Sequence, residues 1–75
     1  MMKVLSTEQA DALYRAMCCA NDVDARFSFT VDTQDGKVTV KEGENWNVLV
    51  VMDEGTILRD YENQAAFATD HGVSI

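Results

Sequence analysis

Ala10, Leu13, Tyr14, Met17 and Cys18 recur at intervals of three and four residues, which aligns them along one stripe of a helix. Ser6 and Gln9 stand at capping-box spacing, and Glu8 and Asp11 place carboxylates near the positive end of the helix dipole. The pattern predicts a helix over 7–20 after the short apolar lead-in Lys3-Val4-Leu5, closed by Asn21-Asp22. From Arg26 the period changes to two. Phe27, Phe29 and Val31 alternate with Ser28, Thr30 and Asp32, as in a half-buried strand.

Asp35-Gly36 is a strong hairpin signal, because a type I′ turn needs positive φ at both central positions. A turn there pairs Gln34 with Lys37, Thr33 with Val38 and Val31 with Val40. Asp32 and Thr30 then face Thr39 and Lys41 on the polar side. Glu42-Gly43-Glu44-Asn45 is a polar turn into a second hairpin, Trp46 to Tyr61, around Asp53-Glu54-Gly55. Val48 to Met52 is the longest uninterrupted apolar run in the chain. With Glu54-Gly55 as a two-residue loop, Met52 opposes Ile57 and Val48 opposes Tyr61. On the other face Val51 opposes Leu58 and Leu49 opposes Asp60. Trp46, Val48, Val50, Met52, Ile57 and Tyr61 are the expected core face. Residues 62–71 read as a short helix that Asp60 could cap, with Phe67 as its large anchor and His71 solvated in the last turn. Gly72 is its C′ residue, and Val73-Ser74-Ile75 can tuck an apolar end against the core.

The order α-β-β-β-β-α predicts a two-layer α+β domain spanning residues 1–75, an antiparallel four-stranded meander with both helices on one face. Leu49, Val51 and Leu58 then lie on the face without helices, where clustered apolar residues mark an interface for a homodimer or another partner. Alternatively, the last helix crosses over and covers them.

Seventy-five residues with 47% apolar content suffice for one small core, and the chain has no proline and no linker-like tract. Thirteen acidic against six basic side chains give a formal charge of −7 and a pI near 4.3. That balance disfavours direct binding to nucleic acid or an anionic membrane and favours a protein partner with a basic surface. Cys18 and Cys19 are adjacent, which is poor geometry for a mutual disulfide. With no signal-peptide core and no run of membrane-spanning length, a cytoplasmic protein with reduced thiols is expected.

No stretch of the chain matches a catalytic motif. His71 is the one histidine, and it forms a nucleophilic pair only if the fold brings Cys18, Cys19 or a serine to it, with Asp70 as orienting group. Cys18 lies on the apolar stripe, as a small core residue would, and Cys19 points off it. Two adjacent thiols and a distant histidine do not match structural zinc spacing. Asp32-Thr33-Gln34-Asp35-Gly36 begins like a calcium loop and lacks the downstream glutamate. Four scattered glycines make no phosphate loop. The expectation is a protein without cofactor and without enzymatic activity.

The charge pattern carries more. Asp22 and Asp24, Glu42 and Glu44, and Asp60 and Glu62 are pairs two residues apart, so each can present like charges on one side of extended chain. In the meander, Glu42, Glu44, Asp60 and Glu62 gather towards one edge, with Asp22 and Asp24 close by. Small size, acidity, a helix-plus-meander order and the lack of catalytic motifs together resemble the small inhibitor proteins of phages and mobile elements, the anti-CRISPR proteins among them. The resemblance is one of overall character and carries no motif, so it assigns no residue roles. It implies a mechanism in which the inhibitor occupies the positively charged nucleic-acid channel of a defence complex.

Overall fold

A computed structural model describes residues 5–52 and 54–74. Its elements are α1 (Thr7–Asp22), β1 (Ser28–Thr33), β2 (Gly36–Glu42), β3 (Val48–Met52), β4 (Ile57–Tyr61) and α2 (Gln64–Asp70). The four strands form one antiparallel sheet in the order β1-β2-β3-β4, an α+β arrangement as expected. Lys3, Val4, Asp53 and Ile75, on which parts of the sequence reading fall, lie outside the described residues.

Helix α1 begins as its sequence dictates. The Ser6 side chain accepts from the Gln9 N–H at 3.0 Å, and the Gln9 side chain accepts from the Ser6 N–H at 3.1 Å. Ala10, Leu13 and Met17 are buried and Tyr14 packs against the core beside them, while the adjacent Arg15 remains exposed. Beyond Asp22, the Ala25 N–H reaches back to the Ala20 carbonyl (2.9 Å) and the Asp24 N–H to that of Asn21 (3.2 Å). This is a Schellman closure, with Asp24 at φ +54 in the position glycine usually takes.

The first hairpin keeps its faces but not its predicted register. Thr33 pairs with Gly36, Asp32 with Lys37, Val31 with Val38 and Phe29 with Val40, so the strands sit two residues from the expected alignment. Thr33 explains the choice. Its hydroxyl accepts from the Asp35 N–H (3.1 Å) and donates to the Gly36 carbonyl (2.7 Å), closing the turn over Gln34-Asp35. Asp35 keeps negative φ, which excludes the type I′ turn. Because the slip is even, every side chain stays on its expected face. On the polar face it sets Asp32 against Lys37 (3.0 Å) and joins the Thr30 and Thr39 hydroxyls (3.0 Å).

The second hairpin is correct at its far end, where Val48 meets Tyr61 and Leu49 meets Asp60, and wrong near its turn. The Met52 N–H bonds to the Thr56 carbonyl and the Gly55 N–H to that of Met52, so three residues lie between Met52 and Thr56 instead of a two-residue loop. A bulge between Val50 and Val51 absorbs the difference, and Val51 pairs with Ile57 rather than Leu58. Two assignments are thereby exchanged. Leu58 packs against the core, and Ile57 is 59% exposed beside Val51 on the face without helices. Trp46, expected in the core, precedes the strand and is 74% exposed.

Both helices pack on one face, so the last helix does not cross over. The core between layers comprises Leu5, Ala10, Leu13, Met17, Phe27, Val38, Val40, Val48, Val50, Phe67, Ala68 and Val73. Helix α2 starts two residues later than expected. Asn63 caps it by accepting from the Ala66 N–H (2.8 Å), whereas Asp60 accepts from the Asn47 amide (2.8 Å) across the strands. His71 is buried, not solvated. Its ring packs on Phe67 (4.5 Å between centroids) and Tyr61 (5.8 Å), and Nδ1 lies 2.9 Å from the Phe67 carbonyl. A second Schellman closure, Val73 N–H to Ala68 and Gly72 N–H to Thr69, ends the helix.

Candidate interaction groove

Three distant segments meet at one end of the sheet: the exit of α1, the β2–β3 turn and the start of α2. Between them lies a groove of about 620 Å³ lined by Asn21, Asp24, Ala25, Arg26, Glu42, Glu44, Trp46, Asn63, Gln64 and Ala65. A double amide bond ties its two helical walls together. Asn21 Nδ2 donates to Gln64 Oε1 (2.8 Å), and Gln64 Nε2 donates to Asn21 Oδ1 (3.1 Å).

The β2–β3 turn forms the third wall. The Gly43 N–H bonds to the Asn47 carbonyl at 2.8 Å, leaving Glu44, Asn45 and Trp46 as a three-residue loop. Gly43 is closely approached: a Cβ there would stand 2.1 Å from Asn47 Oδ1, so the Asn47 side chain would have to shift. The third loop position needs φ above zero and is ordinarily glycine. Gly55 fills the corresponding position before Thr56 at φ +93, but here it is Trp46 at φ +65. Trp46 and Asp24 are the two non-glycine residues with positive φ among those described, and both line the groove.

Glu42 is the most enclosed of the groove carboxylates. Its side chain is only 7% exposed; Oε2 meets Arg26 Nε at 3.2 Å, and the Arg26 Nη2 donates to the Gly43 carbonyl at 2.8 Å. Oε1 has no hydrogen-bond partner among the described residues. Asp24 and Glu44 are exposed. Three carboxylates against the Arg26 guanidinium leave the lining two charges negative. The C-terminal end of α1, with no basic residue in its last turn, adds its dipole in the same sense.

Of the six acidic residues singled out in the sequence, Asp24, Glu42 and Glu44 line the groove. Asp22 and Glu62 are exposed and adjoin the lining residues Asn21 and Asn63. Asp60 pairs with Leu49, whose face carries no helix, and does not line the groove. The apolar trio is divided: Leu49 and Val51 stay on the open face, and Leu58 joins the core. Sequence reasoning missed Trp46, Arg26 and the Asn21–Gln64 bridge. For Trp46 a signal existed, an aromatic embedded in the polar stretch Glu44-Asn45-Trp46-Asn47. Nothing local marks the amide bridge, whose partners are 43 positions apart.

Cys19 is exposed and Cys18 half-buried on α1, where the Cys18 thiol adjoins the Tyr14 hydroxyl; desolvation first, then that thiol, pushes the Tyr14 pKa up. The His71 imidazole is instead engaged with Phe67 and Tyr61. Among the described residues no three His, Cys, Asp or Glu side chains come together to hold a metal ion. No helix there is long and apolar enough to cross a membrane. No protein-family model, curated protein or solved structure matches the chain.

Proposed function

We propose that this chain is a non-enzymatic interaction protein that binds a basic, nucleic-acid-binding protein through its acidic groove end and blocks that partner's nucleic-acid site. This is the mode of action implied by its likeness to anti-CRISPR-type phage inhibitors. The observation that carries the reading is the convergence of Asp24, Glu42 and Glu44, with Asp22 and Glu62 beside them, from segments far apart in sequence. Such a patch accelerates encounter with a cationic channel and repels nucleic acid itself. Glu42 is excluded from the test substitutions, because its burial against Arg26 makes it part of the fold.

The protein, immobilised and exposed to host lysate, should retain nucleic-acid-binding proteins that are released by salt and displaced by duplex DNA or RNA. Replacing Asp22, Asp24, Glu44 and Glu62 by their amides should abolish that retention. Retention indifferent to salt, nucleic acid and these substitutions would sink the proposal.

A second reading rests on the 59%-exposed Ile57 and the half-buried Leu49, beside the buried Val51, on a sheet face with no helix over it. It makes the chain a homodimer joined through that face. Light scattering at micromolar concentration decides it: a clean monomer rules it out.

A further inference from the structure

We infer that the groove is a receptor for a single arginine side chain of the partner, held between the Trp46 indole and the carboxylates of Glu44 and Glu42. The inference rests on the acidic-surface reading and gives it a chemistry. Acidity alone would fit any cation; three further features narrow the choice.

First, Glu42 leaves one acceptor unused in a nearly closed environment. Its side chain is 7% exposed, Oε2 is taken by Arg26, and Oε1 has no partner among the described residues. A buried carboxylate oxygen in that state is stabilised by any donor that reaches it. Second, the groove presents a large aromatic where the local backbone calls for glycine. Trp46 at φ +65 and 74% exposure gains little from burial, so the fold does not repay its conformation. An exposed indole beside carboxylates is the arrangement that binds cations through the ring face. Third, the carboxylates do not gather as a metal-ligating group. An exposed indole beside carboxylates suits instead an organic cation with a flat face and several donors. Guanidinium has both: it stacks on indole and can bridge two carboxylates, whereas an ammonium is a strongly hydrated point charge. The groove's own Arg26 does not fill this role, because its Nε and Nη2 are engaged by Glu42 and Gly43. At about 620 Å³ the groove has room for the incoming side chain and part of its backbone.

The test titrates the intact protein with a blocked Gly-Arg-Gly tripeptide and with its citrulline and lysine counterparts, all at one ionic strength. Trp46 is the chain's one tryptophan, so its fluorescence reads the groove directly. The side-chain amide NMR signals of Asn63 and Gln64, which line the groove, report in variants lacking the indole. The arginine peptide should give a saturable response, with citrulline inert and lysine weaker. Trp46→Gly and Glu44→Gln, each checked for native fold by circular dichroism, should weaken arginine binding about tenfold. Equal responses to arginine and citrulline, or arginine affinity unchanged in Trp46→Gly, would overturn the inference. Failure of the peptide with salt-sensitive partner capture intact removes the arginine site and leaves the acidic surface standing. Peptide binding without capture does the reverse.

Discussion

Trp46 has a conformation, and Glu42 an environment, that the packing around them does not account for. A non-glycine residue held at positive φ is destabilised by about 1–3 kcal/mol, partly offset in a glycine replacement by the latter's greater unfolded-state entropy. Trp46→Gly should therefore stabilise the protein by about 1 kcal/mol in chemical denaturation followed by circular dichroism. A loss of stability would mean that the indole packs more than its 74% exposure indicates. Arg26 shows the opposite logic. Its own side chain is 67% exposed, so as a surface ion pair it would contribute little, but its partner is almost enclosed. Arg26→Ala leaves both oxygens of Glu42 without a partner and should cost about 2 kcal/mol. A further Glu42→Met change should recover most of that in the same denaturation experiment.

At the scale of elements, helix α2 is seven residues long and could not persist alone in water. It is held by Phe67, Ala68 and Val73 in the core and by the Tyr61 hydroxyl, which donates to Asp70 at 2.5 Å. Burial first, and then this carboxylate, push the Tyr61 pKa up to about 12. In the unfolded chain the phenol ionises near pH ~10. Between those values the folded chain keeps a proton that the unfolded chain has released, so stability falls as pH rises. The contribution is intact below pH ~10 and is lost as pH climbs through about 12. Melting temperatures of the wild type and Tyr61→Phe across that range should show a shallower decline in the variant. The β2–β3 turn has its own test. Gly43→Ala would drive a Cβ into Asn47, whose side chain accepts from the Asn45 N–H and donates to Asp60. Displacing both bonds should lower stability by about 1–3 kcal/mol in denaturant titration. Elements were legible in the sequence where one signal dominated, as in the Ser6–Gln9 cap or the run Val48–Met52. Registers were not. The Thr33 hydroxyl outweighed the Asp35-Gly36 dipeptide, and a bulge hidden within apolar residues exchanged Leu58 with Ile57.

For the whole molecule, the two-layer order was legible in the helical and strand periods, but the face that takes the last helix was not, because the second hairpin is apolar on both sides. The clustering of charge was legible only in outline. Residues two apart in sequence predicted local pairs, yet which pairs meet is set by where α2 lands, and Phe67, Ala68 and Tyr61 decide that through the core. Asp60 was lost from the cluster because strand pairing puts it beside Leu49 on the other face, which the hairpin reading already contained and the charge pattern overlooked.

The groove is assembled from residues 21–26, 42–46 and 63–65, and no one of these stretches holds more than part of it. Contact with a partner is therefore thermodynamically tied to completion of the fold. A ligand of this surface must raise the melting temperature in proportion to the logarithm of its excess over Kd, so a thermal-shift screen can pick out partners from an unsorted set of candidates. Overlapping peptides from the chain, by the same token, should be inert as binders however faithfully they copy its acidic runs.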